Sequence, residues 1–229
     1  MAYANSVILH GGERYHLEPA VSDWYGARFT ALGDSIVNSG AAMWDTVRDR
    51  LGFGSYRNQG VSGRPMADGS ANGVGTVTTA LGLAYSGDAM VYIASGTNDF
   101  RLNIPIGTIG AVKSTSHDRN TFFGAYRTTL DHILTSKPTV NLYLATPLQR
   151  DNASYTTEST NTAGHMLRDY RQAVFDLGEM YSIPVIDMYA RSGLTNRTLS
   201  LYTTDGLHPN AAGYARMARV AVAQIRASA

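Results

Sequence analysis

The chain has 229 residues and no cysteine, which excludes disulfides and cysteine-ligated metals, and its length fits one domain able to bury about 70% of its unfolded surface. A formal charge of +1, with only 16% charged residues and Arg and Lys scattered, leaves no basic stripe for nucleic acid. No apolar run approaches the length of a membrane span.

Residues 1–27 read as a lead-in without a strong helical pattern. Val7-Ile8-Leu9 is too short for the apolar region of a signal peptide, and Gly11-Gly12-Glu13-Arg14 interrupts it, so no signal peptide is expected in this chain. From residue 28 onward, strand-like segments at 28–33, 55–58, 89–95, 140–146 and 184–188 alternate with helix-like ones. That alternation predicts an α/β fold with a parallel sheet covered on both faces.

The first strand runs into Ala31-Leu32-Gly33-Asp34-Ser35, a small-residue turn with a serine at its tip, followed by a helical face of Trp44, Val47 and Leu51. The second leads into Asn58-Gln59-Gly60-Val61-Ser62-Gly63, where glycines let backbone amides approach a ligand without side-chain obstruction. After the apolar run Met90-Val91-Tyr92-Ile93-Ala94 comes Gly96-Thr97-Asn98-Asp99, which projects an amide side chain from a strand end. A polar loop, Lys113 to Asn120, precedes a stripe of Phe122, Phe123, Tyr126, Leu130, Ile133 and Leu134. Met166, Leu167, Tyr170, Val174 and Leu177 repeat at helical spacing before Ile183-Pro184 opens the fifth strand. A last helix carries Tyr214, Met217, Ala218, Ala221 and Ile225, with Asn210 as its cap.

Just before that cap, Asp205-Gly206-Leu207-His208-Pro209 sets a carboxylate and an imidazole three positions apart. Such a pair can orient and polarise a base, which suggests serine hydrolysis with Ser35 as the hydroxyl, His208 as the base and Asp205 as its partner. Ser35, Gly63 and Asn98 each follow a predicted strand, at the sheet edge where doubly wound folds collect ligands. Asp34 and Asp99 read as turn-capping carboxylates rather than reacting groups. His10, His16, His132 and His165 stand alone, without metal-ligand spacing. Adjacent residues rarely point the same way, so His117 and Asp118 form a poorer pair than Asp205 and His208. Substrate contact is the more plausible role for the His117 loop, and Arg64 is a second candidate for it.

Taken in order, the four segments resemble the SGNH hydrolase family, also called GDSL-type esterases. Gly33-Asp34-Ser35 matches the first block, Asn58 to Gly63 the second, Gly96 to Asp99 the third and Asp205 to Pro209 the last, so the resemblance makes 28–229 the hydrolase domain. It implies a three-layer α/β/α sandwich around a central, mainly parallel five-stranded sheet, the flavodoxin-like fold of that family. It also implies Ser35 as nucleophile, His208 as base and Asp205 as its partner. The oxyanion hole would comprise the Ser35 amide, the amide of a second-block glycine and the Asn98 side chain. The family sets that glycine several residues after the block's asparagine, which favours Gly63 over Gly60. Two departures concern the mouth of the site: Ile36 and Val37 follow Ser35 where many relatives are more polar, and Pro65 stiffens the turn after Gly63.

The implied reaction is ester hydrolysis through an acyl-enzyme, requiring no metal or other cofactor. The glycine-rich second block followed by Arg64, with short insertions, is similar to enzymes that remove acetyl groups from polysaccharides, which makes a polysaccharide or small-molecule ester the expected partner. A lipid or thioester hydrolase of the same family, an acyltransferase and a glycan-binding module without turnover are the alternatives. Low charge with abundant Gly, Ser, Thr and Asn slightly favours a domain of a longer secreted or virion-surface protein.

Overall fold

The computed structural model describes residues 7–10, 13–16, 24–69, 73–152 and 155–228, with the side chains of 7–10 and 13–16 left out. Within the lead-in, β1 (Val7–His10) and β2 (Glu13–His16) pair as an antiparallel hairpin. The other lead-in residues before Trp24, and the side chains of His10 and His16, lie outside the described residues. The chain continues through β3 (Arg28–Gly33), α1 (Ser35–Asn38), α2 (Ala41–Leu51), β4 (Ser55–Gly60), α3 (Thr76–Leu81), β5 (Asp88–Ala94) and α4 (Thr97–Arg101). Then follow α5 (Phe122–Ser136), β6 (Asn141–Ala145), a small hairpin of β7 (Asp151–Asn152) and β8 (Tyr155–Thr156), and α6 (Leu167–Tyr181). The last elements are β9 (Val185–Ile186), α7 (Met188–Arg191), α8 (Leu199–Tyr202) and α9 (Ala211–Ala227).

Five strands form one parallel sheet in the order β4-β3-β5-β6-β9. This is the flavodoxin-like order, and its direction of winding reverses between β3 and β5, which opens a crevice at the carboxyl edge of those two strands. Side chains alternate across the sheet as the pleat requires. Phe29, Ala31, Met90, Tyr92, Tyr143 and Ala145 face the layer of α1, α2 and α9, whereas Leu32, Val91, Ile93, Leu142 and Leu144 face α3, α5 and α6. Burial on both faces accounts for strands that read as nearly continuous apolar runs.

The helical stripes expected from sequence are the buried faces of α2, α5, α6 and α9. Met166 is an exception: it stands outside α6 as its N-cap, and its amide donates to Asp169 Oδ2 at 2.7 Å. The fifth strand, expected over 184–188, pairs only through Val185 and Ile186. The cause is Asp187, whose side chain caps α7 and accepts from Thr146 Oγ1 and Arg171, so the chain turns into helix there. The packed core also reaches back to Trp24, whose ring stacks on Phe53 at 5.3 Å between centroids.

Candidate active site

The register of the sheet brings the carboxyl ends of three strands level, since Gly33 of β3 lies opposite Gly60 of β4 and Ala94 of β5. Ser35, Gly63 and Asn98 follow within a few residues, so the three segments leave the same edge side by side. Asp34 caps the turn after β3, its Oδ1 accepting from the Ile36 amide at 2.9 Å, which makes half-buried Ser35 the first residue of α1. An amide at that position has no acceptor within its own helix and remains available to a ligand. The α1 segment is tied from two sides. Asn58 Nδ2 donates to the Val37 and Asn38 carbonyls, each at 3.0 Å, and Tyr214 of α9 donates its hydroxyl to the Ile36 carbonyl at 2.9 Å.

The imidazole comes from the opposite end of the chain. His208 Nε2 lies 2.9 Å from Ser35 Oγ, and its Nδ1 lies 2.8 Å from Asp205 Oδ2. Asp205 Oδ1 also accepts from the amides of Leu207 at 3.0 Å and His208 at 2.8 Å. A carboxylate on Nδ1 favours the tautomer that leaves Nε2 free to accept the serine proton. Burial works against the charged form of Asp205, but the His208 amide, the imidazole and the Leu207 amide outweigh it and hold the pKa below the usual aspartate value. The loop closes on itself, Thr204 N donating to the His208 carbonyl at 2.9 Å and Asn210 N to the Tyr202 carbonyl at 2.9 Å, immediately before Asn210 caps α9.

Gly63 sits at φ +78°, a conformation that L side chains rarely adopt, with open space where a side chain would begin. The Val61 amide donates to the Gly33 carbonyl at 3.0 Å, which anchors this turn to the end of β3. Asn98 Nδ2 donates to the Arg64 carbonyl at 3.1 Å, and its Oδ1 accepts from Arg101 Nε at 3.3 Å. An amide nitrogen carries two hydrogens, so this geometry fixes the side chain and leaves one donor for a ligand. Asp99 holds the far side of the same turn, accepting from the amides of Met66 and Ala67.

Two buried carboxyls thus stand beside the site, Asp34 within the serine turn and Asp99 against the Met66–Ala67 segment. Burial raises Asp34 to about 6 against the opposing Ile36 amide and His208 charge, and raises Asp99 to about 7 against the Met66 and Ala67 amides. Asp34 bonds within its own turn as the sequence suggests, whereas Asp99 reaches amides more than thirty residues away in sequence.

Other residues of interest fall elsewhere. The Arg64 guanidinium bonds the Thr79 hydroxyl of α3. His117 packs its ring with only 6% of the side chain exposed, Nε2 lying 2.8 Å from Asp131 Oδ2. Asp118 accepts from the Asn120 amide instead of pairing with His117. The hydrogen bonds of Arg64 and His117 therefore tie neither to the Ser35–His208 pair. Among the described residues no group of three or more His, Asp or Glu is arranged to hold a metal ion. No helix among them is long and apolar enough to cross a membrane. The role of Asn58 in fastening α1 is invisible from sequence, because its partners are backbone carbonyls about twenty residues upstream.

Residues 31–216 match the model of the GDSL-like Lipase/Acylhydrolase family, and the chain belongs to that family. No curated protein matches it. Among solved structures it is similar to a protein from Lactobacillus plantarum, at 24% identity and a TM-score of 0.75, over 89% of this chain and 98% of that one. It is also similar to a lipase/acylhydrolase from Enterococcus faecalis, at 20% identity and a TM-score of 0.64, over 88% of this chain and 96% of that one. A third, described as a possible lipase from Chitinophaga pinensis DSM 2588, shares 22% identity at a TM-score of 0.70, over 88% of this chain and 98% of that one. At these identities the three structures speak for the fold.

Proposed function

We propose that the protein is a serine esterase that removes acetyl groups from a carbohydrate. The observation that carries this reading is the unbroken chain Ser35 Oγ, His208 and Asp205, with successive links of 2.9 and 2.8 Å. Ser35 Oγ attacks the ester carbonyl while His208 Nε2 takes its proton, and Asp205 stabilises the imidazolium that results. The charge on the carbonyl oxygen is received by the amides of Ser35 and Gly63 and by the remaining hydrogen of Asn98, each such donor contributing about 3 kcal/mol. His208 then passes its proton to the departing alcohol. In the second half, His208 activates water, which attacks the acyl-serine and releases the acid with Ser35 restored.

One feature favours a polar alcohol: a groove of about 380 Å³ borders Asp205, with Asp151, Asn196, Ser200 and Thr204 along it, a lining suited to hydroxyl groups. Acetate release from an acetylated polysaccharide, compared with hydrolysis of 4-nitrophenyl esters of increasing chain length, tests the reading. Acetyl preference with polysaccharide turnover is expected. A preference for acyl chains beyond about eight carbons would require a roomy apolar pocket instead and would overturn it.

A further inference from the structure

Arg150, the residue before β7, is completely buried. Its Nη1 donates to the Thr97 carbonyl at 3.1 Å and to the Thr97 hydroxyl at 2.9 Å, gripping the residue immediately before Asn98. Its backbone is zipped to Thr157, the Arg150 amide donating to Thr157 Oγ1 at 2.8 Å and the Thr157 amide to the Arg150 carbonyl at 2.7 Å. Those bonds close the base of the β7–β8 hairpin. Along β7 itself, the Asp151 amide donates to the Gly206 carbonyl at 2.8 Å and Asn152 Nδ2 to the Asp205 carbonyl at 2.8 Å. Arg150 Nη2 approaches Asn152 Oδ1 at 3.5 Å, completing the span.

A residue kept for stability alone does not explain these features. Among the described residues Arg150 forms no ion pair with a carboxylate, and its Nε has no hydrogen-bond partner. Burying a guanidinium under those conditions opposes folding, and an apolar side chain of similar volume is often as stable or more so. Burial, and after it the charge of Arg101, push the Arg150 pKa down to about 10, with Asp205 and Asp34 opposing. What the guanidinium does supply is a connection between two segments 53 residues apart in sequence, Thr97 and Arg150, and through the hairpin to a third.

We propose that Arg150 is a positioning residue that fixes the separation between the oxyanion donor Asn98 and the base loop Asp205–His208. Through Thr97 it sets where α4 begins and hence where Asn98 projects; through β7 it sets the height of the loop that carries the imidazole. This rests on the serine esterase reading above, because it assigns the two halves of one reaction site. A misplacement of about 1 Å in such a site costs about 100-fold in rate, so a strut between the halves has a measurable effect on turnover.

The test uses 4-nitrophenyl acetate with wild type, Arg150→Met, Arg150→Lys, Asn152→Ala, Asn98→Ala and the double variant Arg150→Met/Asn98→Ala. Wild-type turnover comes first, since its absence would refute the esterase reading and this inference with it. Given turnover, Arg150→Met is expected to lower kcat about 100-fold with KM nearly unchanged. Arg150→Lys should recover part of that loss by keeping a donor for Thr97. In the Asn98→Ala background the same Arg150→Met change should cost less than about 10-fold, because residues acting as a unit are not additive. Asn152→Ala, which removes the bond to the Asp205 carbonyl and the Arg150 Nη2 contact but leaves the grip on Thr97, should lower kcat about 10-fold at an unchanged melting temperature. Fully additive losses for Arg150 and Asn98, or a loss confined to KM, would overturn the inference. If Arg150→Met does not fold, Asn152→Ala decides: an unchanged kcat refutes the strut.

Discussion

At the scale of single residues, the proposed chemistry makes unequal demands on its parts. Ser35→Ala removes the attacking oxygen and should lower kcat by at least about 10⁴-fold, leaving the residual rate that oxyanion donors and binding provide. Asn98→Ala should lower kcat by about 10²–10³-fold with little change in KM, because its free hydrogen is used when charge develops on the substrate oxygen. Both are read from steady-state kinetics on a short-chain activated ester. The Asp205 pKa is held below the usual aspartate value, so Asp205 itself should contribute no ionisation to kcat/KM near neutral pH. An ionisation near neutral pH that disappears in Asp205→Asn would contradict that assignment. Of the neighbouring carboxyls, Asp34 shapes the serine turn and Asp99 holds the Met66–Ala67 segment.

At the scale of elements, α2 packs against α9, and Trp44 anchors α2 to the sheet and to the segment after Ser35. It is 2% exposed, packs edge-on to Tyr92 at 5.1 Å and donates its indole N–H to the Val37 carbonyl at 2.9 Å. Trp44→Ala should therefore cost about 3–5 kcal/mol in urea unfolding, by leaving a cavity next to the serine turn. Gly206 makes a different demand. It holds φ +82°, and a Cβ there would stand only 1.8 Å from the Asp151 carbonyl oxygen. Gly206→Ala should push the β7–β8 hairpin off the base loop and lower kcat more than it lowers the melting temperature. Much of this was legible in the sequence: both faces of the sheet are buried, so its strands read as apolar runs, and the stripes of α2, α5 and α9 repeat at helical spacing. What stayed hidden depends on contacts between distant segments. The bonds from Thr146 and Arg171 to Asp187 at the end of β9, the Asn58 bonds to α1 and the Arg150 grip on Thr97 all join residues far apart in sequence. The β7–β8 hairpin pairs just two residues per strand, too few to show a period.

At the scale of the whole molecule, a site assembled at the switch point of the sheet leaves two carboxyls buried beneath it, with a consequence for stability. Asp34 is raised to about 6 and Asp99 to about 7, above the roughly 3.9 of an unfolded aspartate. Between about pH 4 and 7 the folded protein therefore holds protons that the unfolded chain has released, so these groups lower stability as pH rises through that window. The depressed Asp205 works in the opposite sense, its contribution being lost only as pH falls below the usual aspartate range. Asp34→Asn keeps a capping oxygen for the Ile36 amide and removes one raised group, so its melting temperature should fall less than that of wild type between pH 4.5 and pH 7.5, values chosen to bracket most of the window. Equal slopes for the two proteins would contradict the electrostatic reading. The central claim, that the hydroxyl after the first sheet strand is activated by an imidazole from the last loop, is tested most directly by covalent labelling. Treatment with a fluorophosphonate, followed by peptide mass spectrometry, should give one adduct on Ser35 that is lost in Ser35→Ala and strongly slowed in His208→Ala. No adduct, or labelling of another residue at equal rate in all three proteins, would contradict the account.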